Sequence, residues 1–293
     1  MPTPTAVPFD SLPLRKDGPH GNAWGLFGDG NLLGMLNLLT PKTTASAAKE
    51  IVDGVRISTD LTLDRMKVPC FGRAGLSHTI RNKAPRSVND DSLSFNTQIS
   101  SQWDGFRHYG YQEEQLYYGG HVLNDLLSSD VIGIQAWAKN GGIVGRGVLL
   151  DYAAWATKQG LTPAAFETTA IAVETLRSVA RYQGTEFKRG DILLVRTGWI
   201  KAFNALTETQ CLDLAAHPNP PAIGLESSEA MLRFLWDEGF AAVAGDQPSL
   251  EAWPCQDKEH WLHEWLLAGW GMPIGELFDL EELSRSGWCC KPS

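Results

Sequence analysis

Two short apolar runs that alternate with helical segments constrain the fold of this chain more than any other feature. The run from Ile192 to Thr197 follows the turn Gly190-Asp191 and is short and β-branched, which is typical of a buried strand. The run from Phe240 to Ala244 follows a helical segment that ends at Gly239, and it predicts a second interior strand. The alternation of strands with helices predicts an α/β fold.

Polar residues follow the second of these strands. Gly245-Asp246 comes directly after it, and Glu251 lies five residues beyond Asp246. Side chains just past the carboxyl end of a buried strand often reach a functional site, so both are secondary site candidates. The alternative for both is a carboxylate that forms a salt bridge in a loop.

Length and charge limit the function classes. The chain has 293 residues, of which 43% are hydrophobic, and a net charge of -9. We expect one elaborated domain at residues 20–285, an N-terminal extension at 1–19 and a C-terminal tail at 286–293. The negative charge disfavours nucleic acid and anionic membranes, so a small molecule is the expected partner.

No targeting segment is evident in the sequence. Residues 1–15 are rich in proline and contain no apolar run, so we expect neither a secretory signal nor a membrane span, and a cytoplasmic location. The five cysteines have no metal-type spacing and fit free thiols in a reducing compartment. They are Cys70, Cys211, Cys255, Cys289 and Cys290.

The N-terminal third predicts local elements around a long loop. Thr40 caps a helix that begins at Pro41 and ends at Gly54, with an apolar stripe that includes Ile51 and Val52. Val55 to Leu63 alternates in the pattern of a half-buried strand. Residues 66–96 are polar and irregular, which indicates a surface loop that could act as a flap.

The stretch Gln98 to His108 concentrates polar chemistry. If it is extended, Gln98, Gln102, Asp104 and His108 all point to one face. If the strand ends at Gly105, a turn brings His108 back over Asp104. Either geometry builds a pocket wall.

Aromatic residues offer further walls for a site. Trp24 lies in a glycine-punctuated loop, Trp103 lies within the polar stretch, and Tyr111 belongs to a tyrosine-rich segment. These three are predicted to bind substrate, although pockets and cores use the same rings. Arg107 is also predicted to bind substrate, the alternative being a salt bridge to a nearby glutamate.

Near the C-terminus, a helical pattern from Asp257 to Leu267 is followed by a strand pattern from Met272 to Leu277. We expect His263 to lie at the end of this helix and Glu276 on the returning strand. An imidazole and a carboxylate so placed can share a metal or act as acid and base. The alternative is a structural histidine.

These segments together resemble the metal-dependent cyclase family that includes kynurenine formamidase, from about Trp24 to Leu283. The resemblance implies a swivelling β/β/α fold with a mixed sheet and flanking helices, a homodimer or homotetramer, and hydrolysis of an amide or cyclic amide of a small aromatic compound. The family signature is H-x-G-T-H-x-D-x-x-x-H.

The match to this signature is partial. Asp104 falls on a metal-binding aspartate and His108 on the catalytic histidine, while Gln98 and Gln102 stand where two ligand histidines belong. By the same resemblance, the later histidine and glutamate of the metal site are His263 and Glu276. Amides in place of imidazoles favour magnesium, manganese or calcium over zinc.

Three hypotheses follow. The first is a cyclase-family enzyme that hydrolyses an amide or lactone of a small cyclic or aromatic metabolite, or closes such a ring, with His108 as general acid and base. The second is a metal-free isomerase, dehydratase or cyclase of secondary metabolism, in which Gln98 and Gln102 orient the substrate. The third is an inactive member that binds a small ligand.

Overall fold

The computed structural model describes residues 6–286. The predicted tail at 286–293, with Cys289 and Cys290, therefore lies outside the described residues except for Ser286. The described strands are β1 Ser77–Asn82, β2 Asn89–Ser94, β3 Gln102–Asp104, β4 Gly147–Asp151, β5 Ala170–Ile171, β6 Ile192–Arg196, β7 Gly224–Leu225, β8 Ala242–Gly245 and β9 Ile274–Glu276. The described α-helices are α1 Pro41–Ala47, α2 Leu123–Ser128, α3 Gln135–Lys139, α4 Tyr152–Lys158, α5 Val173–Gln183, α6 Trp199–Asn204, α7 Glu208–Ala216, α8 Glu229–Asp237 and α9 Glu281–Arg285.

A mixed five-stranded sheet organises the molecule. Its strand order is β3-β9-β8-β6-β4. The strands β9, β8, β6 and β4 run parallel, and β3 joins the edge antiparallel to β9. Helices α4 and α5 pack on β6 and β4, and α8 packs on α5. The predicted α/β fold with a mixed sheet and flanking helices is confirmed.

The two apolar runs form the interior strands that their composition predicts. All four residues of β8 are buried, and four of the five residues of β6 are buried. Either Ser227 or Ser228 is expected from sequence to cap helix α8, and the structure has Ser228, whose Oγ accepts a hydrogen bond from the Met231 amide at 3.3 Å. Gly239, just past the helix, has a φ of +70°, a left-handed conformation that favours glycine and lets the chain turn into the sheet.

The predicted helix after Thr40 is shorter than its pattern indicated. The cap is confirmed, because the Thr43 amide donates to Thr40 Oγ1 at 3.2 Å. Helix α1 nevertheless ends at Ala47, and a 3-10 turn continues to Glu50. Ile51 and Val52 are 74% and 78% exposed, so the predicted apolar stripe does not pack on the core.

Two further predictions in this region are wrong. Residues 55–63 form no strand, because backbone groups of this segment bond to side chains: the Leu61 amide donates to Ser101 Oγ at 2.7 Å. Residues 66–96 are more than a loop, because β1 and β2 pair as an antiparallel hairpin. Every residue of both hairpin strands is exposed.

The C-terminal prediction needs one correction as well. His263 lies at the start of its helix, directly before the π-helix Glu264–Trp270, and not at the end. The helix also continues past its expected end at Leu267, through Gly269 to Trp270, and it ends before Gly271, whose φ is +64°. Strand β9 follows. Within residues 6–286, none of the helices has the length and apolar character needed to cross a bilayer.

Candidate active site

Pairing of β3 with β9 brings the first site residues together. Gln102 lies directly opposite Glu276 in this antiparallel pair. Because side chains alternate along a strand, Gln102 and Asp104 share one face and Trp103 points to the other. Trp103 there packs edge to face on Phe278, with 5.1 Å between ring centroids. The edge of the sheet therefore presents an amide and two carboxylates on one surface.

A turn after β3 brings in His108. The strand ends at Asp104, and the His108 amide donates to the Gly105 carbonyl at 2.9 Å. His108 Nε2 consequently lies 3.9 Å from Asp104 Oδ2. Of the two geometries that the sequence allowed, the structure has the turn.

His263 completes the group from the start of its helix. Its Nδ1 lies 2.8 Å from both carboxylate oxygens of Glu251. Its Nε2 faces the strand residues, 3.4 Å from Glu276 Oε1 and 3.8 Å from Asp104 Oδ2. Glu251 thus fixes the orientation of the ring and leaves Nε2 directed at the two strand carboxylates.

The two glutamines link the carboxylates. Gln98 is placed by a 3-10 turn that Asn96 caps, and its Nε2 donates to Asp104 Oδ1. Gln102 Nε2 donates to Gln98 Oε1 and to Glu276 Oε2, both at 3.0 Å. Gln98 therefore orients Asp104 and Gln102 rather than facing a ligand, and Gln102 Oε1 remains without a hydrogen-bond partner among the described residues.

Burial and charge set the protonation of this group. Desolvation lowers the pKa of His108 although its side chain is 33% exposed, and the Asp104 carboxylate partly offsets this effect. A pKa below its ordinary value favours the neutral ring near pH 7. Burial also acts to lower the pKa of His263, but the carboxylates Glu251 and Glu276 outweigh it and hold that pKa well above its ordinary value. The pKa of Glu276 is raised by burial and by the nearby Asp104 carboxylate.

A cavity of about 260 Å³ opens onto these residues. Four aromatic side chains contribute walls, and Tyr109 stands 5.4 Å from the ring of His263 and 5.3 Å from that of Trp261, measured between centroids. The residues that line the cavity are Phe71, Arg73, His108, Tyr109, Pro248, Ser249, Glu251, Trp253, Trp261, His263 and Glu276. The cavity is small and half open, and its walls combine aromatic rings with the carboxylates and imidazoles of the site.

A larger groove of about 830 Å³ lies elsewhere, between residues 44–57 and strand β4. Its charged residues satisfy one another: Arg146 lies 3.3 Å from Glu50 and 3.1 Å from Asp191. The cavity at His108 is therefore the better candidate for chemistry, because it brings together the residues with displaced pKa values.

The side chains at the base of the cavity fit a divalent cation. Asp104, His108 and His263 each offer one ligand atom, and these atoms lie within 4.8 Å of one another. Asp104 Oδ2 and Gln102 Oε1 are buried and have no hydrogen-bond partner among the described residues, so two oxygens are left to take a cation or a donor. Glu276 supplies a further carboxylate. Oxygen and imidazole donors of this kind suit manganese, magnesium or zinc.

Four residues predicted to bind substrate lie away from the cavity. Arg107 donates to the carbonyls of Val131, Leu126 and Ser129 at 2.8, 3.1 and 2.8 Å, so it ties the end of α2 and its following loop rather than binding a ligand or Glu113 and Glu114. Tyr111 is 1% exposed and donates to the His20 carbonyl at 2.7 Å. Trp24 is 7% exposed and donates to the Ala268 carbonyl at 2.7 Å. These side chains and Trp103 are packing residues here.

Some residues that line the cavity were ranked low or not identified from the sequence. Glu251 was only a secondary candidate, and its position after β8 was the signal that pointed to it. Asp246, the other secondary candidate, instead accepts hydrogen bonds from the Thr197 and Gly198 amides at 2.6 and 2.9 Å and anchors the start of α6. Arg73 and Trp261 had no sequence signal, because only the fold brings them to the cavity.

The chain matches one sequence family and several solved structures with a similar fold. Residues 74–252 match the sequence model of a family described as "Putative cyclase". A crystal structure of a novel cyclase superposes with a TM-score of 0.78 and 26% identity, covering 91% of this chain and 89% of that one. Isatin hydrolase A from Labrenzia aggregata, bound to benzyl benzoate, gives a TM-score of 0.55 at 16% identity over 80% of this chain and 87% of that one. An isatin hydrolase bound to the product analogue thioisatinate gives 0.56 at 10% identity over 83% and 88%. No curated protein sequence gives a significant match.

Proposed function

Because the chain belongs to the cyclase family, we propose that this cyclase/hydrolase-type enzyme hydrolyses an amide or lactone bond in a small cyclic or aromatic compound. The observation that carries the proposal is the position of Asp104 Oδ2. This buried oxygen has no hydrogen-bond partner among the described residues and lies 3.9 Å from His108 Nε2 and 3.8 Å from His263 Nε2. The named isatin hydrolases, which share the fold, support the choice of a cyclic amide as the first substrate to test.

Asp104, His263 and Glu276 would hold the divalent cation, with Gln102 Oε1 as a neutral donor. A cation bound there supplies an acidified water and a polarised carbonyl group. Manganese is our first choice, because it accepts both carboxylate oxygen and imidazole nitrogen. The Glu251 carboxylate keeps Nδ1 of His263 engaged, so that Nε2 is the nitrogen presented to the cation.

His108 is the proposed proton acceptor. Its ring is neutral because burial lowers its pKa, and its Nε2 faces the same space as Asp104 Oδ2. The imidazole takes a proton from the attacking water, and the adjacent Asp104 carboxylate stabilises the imidazolium that forms. The same proton then goes to the leaving nitrogen or oxygen. Tyr109, Trp253 and Trp261 line the cavity beside the reacting bond.

A metal-free proton transfer, such as isomerisation or dehydration, is the second candidate. It is favoured by the hydrogen bonds that Gln98 and Gln102 donate to the carboxylates of Asp104 and Glu276. Only one amide oxygen, Oε1 of Gln102, is then free among these two side chains, where the family signature has two imidazole ligands. In this reaction His108 would move a proton on the substrate itself.

One experiment separates the two candidates. The purified protein is analysed for bound metal, treated with EDTA, and assayed on isatin and on a panel of small cyclic amides and lactones with and without manganese, magnesium or zinc. We expect hydrolysis that is lost with EDTA and restored by one of the ions. If no stoichiometric metal is present and no ion raises the rate, the hydrolytic proposal is wrong.

A further inference from the structure

Arg73 reaches the cavity from the segment that precedes β1. Its Nη1 donates to the Gln98 carbonyl at 3.0 Å, and its guanidinium carbon lies 4.9 Å from the centre of the Phe71 ring. Among the described residues it makes no other hydrogen bond and no ion pair. A guanidinium carries five N–H donors, so four of those of Arg73, a residue that lines the cavity, have no acceptor among the described residues.

The electrostatic surroundings explain why this cation is tolerated. Burial lowers the pKa of Arg73, while the carboxylates of Glu276 and Asp104 raise it, so the cation belongs to the same charged group as the cavity base. No carboxylate in the described residues comes close enough to consume its donors. A half-buried guanidinium that is held in place at one nitrogen and open at the others is suited to a planar, two-oxygen acceptor.

We propose that Arg73 determines substrate specificity by binding a carboxylate or other anionic oxygen on the substrate or product, whose aromatic ring lies among Phe71, Tyr109, Trp253 and Trp261. The inference deepens the proposed function. Hydrolysis of a cyclic amide or lactone adds water across the C–N or C–O bond, so the product carries a new carboxylate and a free amine or hydroxyl. Arg73 is a cation on the cavity wall, with donors free of other partners, that can receive that carboxylate.

The test measures binding and needs no turnover. Benzoate and its neutral isostere benzamide are titrated into EDTA-treated protein and binding is followed by calorimetry, or by the change in tryptophan fluorescence, since Trp253 and Trp261 line the cavity. We expect benzoate to bind at least tenfold more tightly than benzamide, since a charge-assisted hydrogen-bond pair distinguishes the two ligands. Repeating the titration with manganese shows how much carboxylate binding a cation adds.

Variants then assign the preference to Arg73. Arg73→Gln should lower the affinity for benzoate about tenfold or more and change the affinity for benzamide by no more than about twofold. The benzoate affinity of Arg73→Lys should lie between those of the wild type and Arg73→Gln, because lysine keeps the charge but not the planar fork. Arg86→Gln is the matched control, since Arg86 is exposed between the two hairpin strands. It should leave both affinities unchanged.

Three results would overturn the proposal. The wild-type protein could bind both ligands with equal affinity, or it could fail to bind benzoate. Alternatively, Arg73→Gln could lose affinity for both ligands equally, which would indicate a structural role for Arg73. The wild-type comparison stands even if a variant fails to fold. A protein that prefers benzoate but hydrolyses nothing would refute the proposed function and leave the role of Arg73 intact.

Discussion

His108 is the residue on which the proposed chemistry depends most directly. Its imidazole lines the cavity, with Nε2 3.9 Å from the unpartnered oxygen of Asp104. Removing a general base typically lowers the rate by about 10²–10⁴-fold. We expect His108→Ala to lower kcat within this range while the circular dichroism spectrum stays unchanged. His217→Ala, at an exposed histidine, should keep the wild-type rate, and an unaltered kcat in His108→Ala would remove His108 from the mechanism.

Glu251 acts through His263 and has no proposed contact with substrate. Its carboxylate lies 2.8 Å from His263 Nδ1 and accepts from Trp261 Nε1 at 2.5 Å. Loss of such a partner commonly weakens metal binding about 10- to 100-fold. Calorimetric titration of manganese into chelator-treated Glu251→Gln should show a loss of this size. The exposed control Glu186→Gln should bind as the wild type does, and equal affinities for all three proteins would contradict the role of Glu251.

At the scale of elements, sequence pattern succeeded where burial decides the structure. The strands β6 and β8 and the cap of α8 were predictable because an interior strand and a helix start each leave a local signal. The strand predicted for residues 55–63 did not form, because an alternating pattern does not specify a partner strand. Here Ser101 Oγ accepts from the Leu61 amide and Ser100 Oγ donates to the Leu61 carbonyl. Long-range pairing, not local propensity, decided that segment.

The same distinction applies to the candidate site. Asp104 and His108 were predictable from their spacing, and their meeting required only a local turn. Arg73 was not, because its contact with Gln98 spans 25 residues and depends on how the hairpin segment returns. The role of Arg107 could not be assigned from sequence, because an arginine beside a catalytic pattern looks the same whether it binds substrate or, as it does here, backbone carbonyls.

One buried ion network connects β4, β6 and α9. Arg196 is 5% exposed and lies 2.8 Å from Asp151 Oδ1 and 2.7 Å from Glu281 Oε1. Removing one partner of a buried pair leaves an uncompensated charge and typically costs about 3–5 kcal/mol. Arg196→Met should lower the free energy of unfolding by about this amount in a urea titration. Arg181→Met, on the exposed face of α5, should change it by about 0.5 kcal/mol or less, and an equally small effect at Arg196 would show that the network contributes little.

At the scale of the whole molecule, the net charge of -9 and the small aromatic cavity agree on a small-molecule partner, which stays a prediction. The homodimer or homotetramer implied by the family resemblance is likewise a proposal. The exposed hairpin carries Ile80 and Leu93, which are 64% and 50% exposed, and apolar side chains in such positions are a reason to measure the mass in solution by light scattering.

The pH dependence of global stability depends in part on Asp246. This carboxyl is fully buried, and burial raises its pKa from 3.8 to about 6 against the opposing hydrogen bonds from Thr197. Because the folded protein binds this proton more tightly than the unfolded chain, the group stabilises the fold below pH 3.8, and that contribution is lost as the pH rises through about 6.

Asp246→Asn isolates this contribution, because asparagine cannot ionise. Between about pH 4.5 and 7.5, the wild-type protein should lose about 2 kcal/mol of unfolding free energy relative to the variant. Urea titrations at several pH values measure the difference, and Asp213→Asn, on the exposed face of α7, should follow the wild-type curve. Parallel curves for wild type and Asp246→Asn would mean that the hydrogen bonds from the start of α6 fully compensate the buried charge. Asp246 would then be ionised throughout this range, and the pH response of the fold would have to come from other groups.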